Sequence, residues 1–306
     1  AVPSSSRGSI VQTWGRQILL VWGIGYLLRA PGLMPSAWQE MGPEKWTQFL
    51  YVDILHCIAL SWLVIVGLYR AAPQISTRQR ILIGLWVVVV VITPLLWTTP
   101  LHASLPTGLA HYLTAAQGSL FPFFPWGAYV VAGAIAGRTL RAMDRRGKAR
   151  SYMQLFLLLG GVGGMGLSIP LFTGHRIWTD LGWNGDPLVV IMYTLLSLAL
   201  MAGLFLLIEP ERTGPGAGDE SEPGFLWLQR VGQASLLLYV AHLLVLYRVG
   251  WSGYTLASVW GGALDGWEAA ALFLGLAVAM TALAEGWQWA KQRSDVRPWV
   301  RRIGGA

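Results

Sequence analysis

Eight apolar runs, most of them close to the length of a membrane crossing, leave this chain few ways to fold. They are Ile10–Leu28, Phe49–Leu68, Ile81–Trp97, Phe121–Gly137, Tyr152–Thr173, Pro187–Ile208, Phe225–Gly250 and Trp267–Trp289. A helix crosses a hydrocarbon layer of ~30 Å with about 20 apolar residues and satisfies its own backbone polar groups on the way. The runs therefore predict an all-α fold, a polytopic transmembrane helix bundle of about eight spans forming one integral-membrane domain over residues 1–306. Val87–Ile92 is β-branched and would suggest a strand in water, but the length of its run and the lipid setting favour a helix.

Composition supports this reading and excludes others. Only 12% of residues are charged, against roughly 25% in soluble domains, and the mean hydropathy is +0.51. The 17 tryptophans gather at run ends, where a half-wet ring is at home. The net charge of +7 does not indicate nucleic acid, because the basic residues sit in short loops between apolar runs. All but Arg29, Lys45, Arg176 and Arg248 of the 22 lysines and arginines fall on one side of the eight-span topology. The positive-inside rule then puts both termini in the cytoplasm. A lone cysteine, Cys57, excludes an intrachain disulfide and a cysteine metal cluster, and no metal is expected. The Pro/Gly-rich stretch 209–224 reads as a flexible cytoplasmic linker. Ala1 is not an initiator, and the expectation is a fragment of something longer. No internal repeat suggests the inverted halves of a transporter.

Three stretches carry chemistry. The first, FPFFPWGAYVVAGAIAGR from Phe121 to Arg138, opens with Pro122 and Pro125 among aromatics that include Trp126. It continues as a small-residue helix able to pack closely. The second is YVDILHCIALSWL, where Asp53, His56 and Cys57 would share one helix face. A carboxylate beside a histidine suits a general base, and equally a structural pair between helices. The third is SLLLYVAHLLVLY, where Ser235, Tyr239 and His242 fall on one stripe. That stripe could line a substrate pathway, or hold a histidine satisfied by a neighbouring helix. Ionisable groups at membrane depth are expensive and therefore functional candidates.

Outside the spans, Thr98–Leu120 contains no charged residue other than His102 and His111 and is expected to dip into the membrane or pack under it. His175, Trp178, Asp180, Trp183, Asn184 and Asp186 are of types that bind sugars, or they form an ordinary polar loop. Gly160 and Gly164 make a small-xxx-small packing site, and the run around them is not a phosphate loop. Arg138, Arg141 and Arg145, with their basic neighbours, could hold phosphates or simply set topology and touch anionic lipid.

Taken in order, Phe-Pro-x-Phe-Pro-Trp, the Asp53–His56 stretch and Ser235-x-x-x-Tyr239-x-x-His242 resemble bacterial membrane proteins related to the heparan-α-glucosaminide N-acetyltransferase catalytic domain. The resemblance implies an integral-membrane acyltransferase that moves an acetyl or acyl group from acetyl-CoA, on the cytoplasmic side, to a carbohydrate or glycolipid acceptor on the outer side. It implies His242, His56 and Asp53 as catalytic residues, and Tyr239, Ser235, His111 and Trp126 as substrate-binding residues. Arg138, Arg141 and Arg145 would bind the cofactor. The lipid bilayer is a partner, and a homodimer stays open. The family often has glutamine where His56 stands. It also begins with two helices, an Arg-Gly signature and a loop histidine that are expected to be absent here. The competing expectation is a non-enzymatic membrane protein, a transporter or an assembly subunit. A lipid-headgroup-modifying enzyme of the same fold is a third.

Overall fold

The computed structural model describes residues 4–32, 35–72, 74–174, 182–208, 230–247, 250–251, 254–260 and 262–292. These residues are helical apart from connecting turns and a two-residue antiparallel pair, Gly250–Trp251 with Tyr254–Thr255. The chain divides into two compact units, Ala1–Glu211 and Arg212–Ala306. The expected linker, 209–224, lies outside the described residues, as do His175, Trp178 and Asp180 and the side chain of His102.

In the first unit the long helices are α1 (Ser4–Arg29), α4 (Ile54–Ala71), α5 (Ile75–Thr98), α7 (Phe123–Asp144), α8 (Ala149–Phe172) and α10 (Pro187–Ile208). Short helices fill the connections: α2 (Pro35–Gln39), α3 (Pro43–Phe49), α6 (Thr107–Leu113) and α9 (Gly182–Gly185). The second unit contains α11 (Ser235–Tyr247), α12 (Leu256–Trp260) and α13 (Gly266–Gln292).

Each of the eight apolar runs thus carries a helix. Among the described residues five are both long and apolar enough to cross a membrane: α4, α5 from Thr77, α8, α10 and α13 to Lys291. The other three fall short for visible reasons. The α1 helix carries Arg7 and Arg16, α7 is diluted by glycine and alanine, and α11 has 13 residues. The outward faces confirm the solvent these helices are built for. On α5, Ile83, Val87, Val88, Val91 and Leu95 are exposed, while Leu82, Val89 and Val90 on the opposite face are buried. A helix apolar on both faces is stable where its outer face meets lipid.

The core of the first unit is built from facing helices. Val89, Val90, Phe123, Ala128 and Val190 form one buried cluster, and Ile65, Leu82 and Val131 form another. The α8–α10 contact is set by two glycines. A Cβ on Gly160 would lie 2.6 Å from the Leu195 carbonyl oxygen, and one on Gly164 would lie 2.6 Å from a Leu196 methyl. The small-xxx-small expectation holds: only glycine lets the two backbones come this close. Hydroxyls inside the bundle bond back to their own helices, as Ser61 does to Cys57 O, Thr93 to Val89 O and Thr194 to Val190 O. This removes the cost of burying an unpaired hydroxyl.

Candidate active site

The polar centre of the first unit lies where α1 ends, α4 begins and the 98–121 segment returns. Asp53 precedes α4 as its N-cap, with extended φ −100° and ψ 177°. It is not inside a span, because Pro43 starts a separate short helix that stops at Phe49 and Tyr51–Asp53 belongs to no helix. The Asp53 carboxylate is held by a residue 24 positions earlier in the chain. Arg29 Nε donates to Oδ2 and Nη2 to Oδ1, both at 2.7 Å, in a bidentate ion pair. Arg29 Nη1 also donates to Gln48 O at 3.0 Å, and the guanidinium lies 5.4 Å from the Tyr51 ring centroid.

His56 occupies the third position of α4. Its Nδ1 accepts a hydrogen bond from the Asp53 backbone N–H at 3.2 Å, half of a capping box in which histidine takes the usual place of Glu or Gln. An N–H only donates, so Nδ1 is the acceptor and Nε2 bears the proton in the neutral ring. Nε2 is buried without a partner. The ring meets Tyr26 edge-on at 4.2 Å, and a Cβ on Gly25 would stand 2.9 Å from Nε2. The lone pair a base would need is therefore already used as a helix cap. Cys57 is buried and free beside it.

His111 differs. It sits on α6, is fully buried, and has no hydrogen-bond partner at either ring nitrogen. Burial, and then the Arg29 charge, hold it below its ordinary 6.5, so the ring is neutral. The Tyr51 ring packs edge-on against it at 5.0 Å. The segment carrying it is fastened to the start of α4: Val52 N–H donates to Ser119 Oγ at 3.0 Å and Phe121 N–H to Val52 O at 3.1 Å. Gly118 takes φ +101°, and a Cβ there would meet the Tyr51 ring at 2.7 Å. Tyr112, next to His111, accepts from Trp22 Nε1 at 2.6 Å and lies 3.5 Å from the Tyr26 hydroxyl. Burial first, and then the Tyr26 contact, raise its phenol pKa. The structure thus brings together His111, Tyr51, Arg29, Asp53 and His56.

The remaining expected residues are placed elsewhere. Trp126 packs between Phe121 and Tyr129 at the start of α7, with its Nε1 buried and unpartnered. The neighbouring Phe124–Pro125 peptide is cis, and Trp97 Nε1 donates to Phe124 O at 3.1 Å. Asp186 is buried and accepts from Leu188 N–H at 2.8 Å at the start of α10, and Trp183 Nε1 donates to the Tyr193 hydroxyl at 2.9 Å. Arg141 and Arg145 are exposed, whereas Arg138 is half-buried.

In the second unit Ser235, Tyr239 and His242 do share one stripe, facing Phe273, Leu276 and Met280 of α13 across a cleft of ≈ 440 Å³. His242 Nδ1 bonds to Leu238 O at 3.1 Å. A carbonyl only accepts, so this nitrogen carries the proton and Nε2 presents its lone pair. Among the described residues no three His, Cys, Asp or Glu side chains group as a metal site.

Fold and site together define an integral-membrane helical protein with a closed polar centre at one end of its first unit. The family model described as heparan-alpha-glucosaminide N-acetyltransferase, catalytic, matches residues 4–174. This is more than half of the 306-residue chain, so the chain belongs to that family, one of membrane acetyltransferases. No curated protein and no solved structure matches it.

Proposed function

We propose that the chain transfers an acetyl group from acetyl-CoA to a hydroxyl or amine of a carbohydrate-type acceptor, and that the acceptor is activated at His111. Family membership supplies the reaction class. One observation supports the position: a neutral, fully buried histidine with both nitrogens unpartnered, inside the matched region. A buried polar atom without a partner costs about 1–3 kcal/mol, so such a ring calls for a group from outside the chain.

In the reaction, His111 takes the acceptor proton as the acceptor's O or N attacks the thioester carbonyl. The C–S bond breaks, and the proton returns to the leaving thiolate. Tyr51 holds the ring edge-on, and the Arg29–Asp53 pair places a fixed positive group beside the developing oxyanion. Admission of the acceptor requires the 114–121 segment to part from Tyr51–Asp53. The distribution of basic residues supports an outward-facing position for this end of the bundle.

The non-enzymatic alternative has one observation in its favour, the occupation of His56 as a helix cap. A transfer assay with the His111→Asn protein separates the two. Loss of transfer by at least a hundredfold with unchanged thermal unfolding supports the enzyme. Absence of transfer by the parent protein supports the alternative.

A further inference from the structure

The second unit lies beyond the matched residues 4–174 and holds a cleft of its own. One wall of this ≈ 440 Å³ space carries Ser235, Tyr239 and His242 of α11, and the facing wall is the apolar side of α13. Such a volume lies within the ~300–1,000 Å³ of sites that hold small molecules. Among the described residues that line it there is no Asp, Glu, Lys or Arg, so a charged group would enter it without a counter-ion.

His242 sets what the cleft calls for. Its Nδ1 donates to Leu238 O at 3.1 Å, one turn back on the same helix. The opposite ring edge, with the Nε2 lone pair, is thereby turned away from its own helix. The Tyr239 ring packs edge-on against it, at 5.2 Å between centroids, and holds that orientation. The α13 side chains in the lining, Phe273, Leu276, Ala277 and Met280, carry neither an N–H nor an O–H. The facing wall therefore supplies hydrocarbon and no donor. From Gly266 to Lys291 α13 is long and apolar enough to cross a membrane, and Phe273, Leu274 and Val278 are exposed on it. The medium that meets such a helix is lipid.

We infer that the cleft binds an uncharged lipid alcohol of the diacylglycerol type, whose O–H donates to His242 Nε2 while its hydrocarbon lies along α13. An acceptor on one wall calls for a donor, the uncharged lining excludes phosphate and ammonium headgroups, and the apolar wall takes a chain. A lipid hydroxyl meets all three conditions. The site stands apart from the acetyl-transfer reading, because it uses no residue of the His111 centre and needs no turnover.

Native mass spectrometry of the full chain in detergent tests it with a matched pair of lipids. Dioleoylglycerol carries the hydroxyl, and its acetyl ester is the same molecule with the donor removed. The parent is expected to retain the alcohol about tenfold better than the ester, the worth of one hydrogen bond. His242→Phe keeps a ring and loses the lone pair, and it should retain the two lipids equally. Ala277→Phe fills the cleft from the α13 wall and leaves the polar stripe in place, and it should release the alcohol. Thermal unfolding identifies the folded variants, and the second keeps the test decisive if the first fails to fold. Equal retention of alcohol and ester by the parent, or retention of neither, overturns the inference. So does a preference for the alcohol that survives either substitution in a folded protein.

Discussion

Replacing His56 separates a structural histidine from a reacting one, and the structure sets the size of each effect. Nδ1 caps the Asp53 N–H at 3.2 Å, and the ring meets Tyr26 at 4.2 Å. His56→Gln keeps an acceptor at the capping-box position and loses only the ring contact, a cost of about 1 kcal/mol. His56→Leu also leaves the Asp53 N–H without its cap, which adds about another 1 kcal/mol. Unfolding of the detergent-solubilised proteins should therefore rank parent above glutamine above leucine, and the glutamine protein should keep the parent's transfer activity. Equal destabilisation by glutamine and leucine would show that the Nδ1 bond stabilises nothing. A folded but inactive glutamine protein would show that the ring takes part in the chemistry.

Gly160→Ala puts a methyl 2.6 Å from the Leu195 carbonyl. Overpacking of about 1–3 kcal/mol should outweigh the gain in helix propensity of roughly 1 kcal/mol, lowering the unfolding midpoint. Gly161→Ala, which meets nothing within 4 Å, should raise it or leave it unchanged, and the reverse order would refute the packing. For His111, held below 6.5 in the folded protein, the unfolded chain binds the proton first as pH falls. Stability should decline as pH drops below about 6.5, and His111→Asn should flatten that part of a pH–stability curve. An unaltered curve would mean that the ring is not held neutral.

Much of the scaffold was legible in the chain. Long apolar runs name helices, and glycines four apart name a close contact, because both are local patterns. The stripe of Ser235, Tyr239 and His242 follows from helix geometry alone and is seen in the second unit. The 98–121 segment was marked by its lack of charge, and it packs on the start of α4. Less could be read at the site. Asp53 was expected within a span, yet a break between Phe49 and Ile54 makes it an N-cap. Where along an apolar run the helix starts is invisible to hydropathy. The partner of Asp53 comes from 24 positions away in the chain. No periodicity encodes such a meeting. Two local signals were available, the histidine at the capping-box position and the arginine closing α1, which stands among few charges on its side of the membrane.

The most direct measurement is transfer of radiolabelled acetyl from acetyl-CoA to a hexosamine-bearing acceptor by the purified protein in lipid vesicles, run beside His111→Asn. The account predicts transfer by the parent and a loss of at least a hundredfold in the variant, with both proteins unfolding at the same temperature. Transfer that survives the loss of His111 in a folded protein would contradict it.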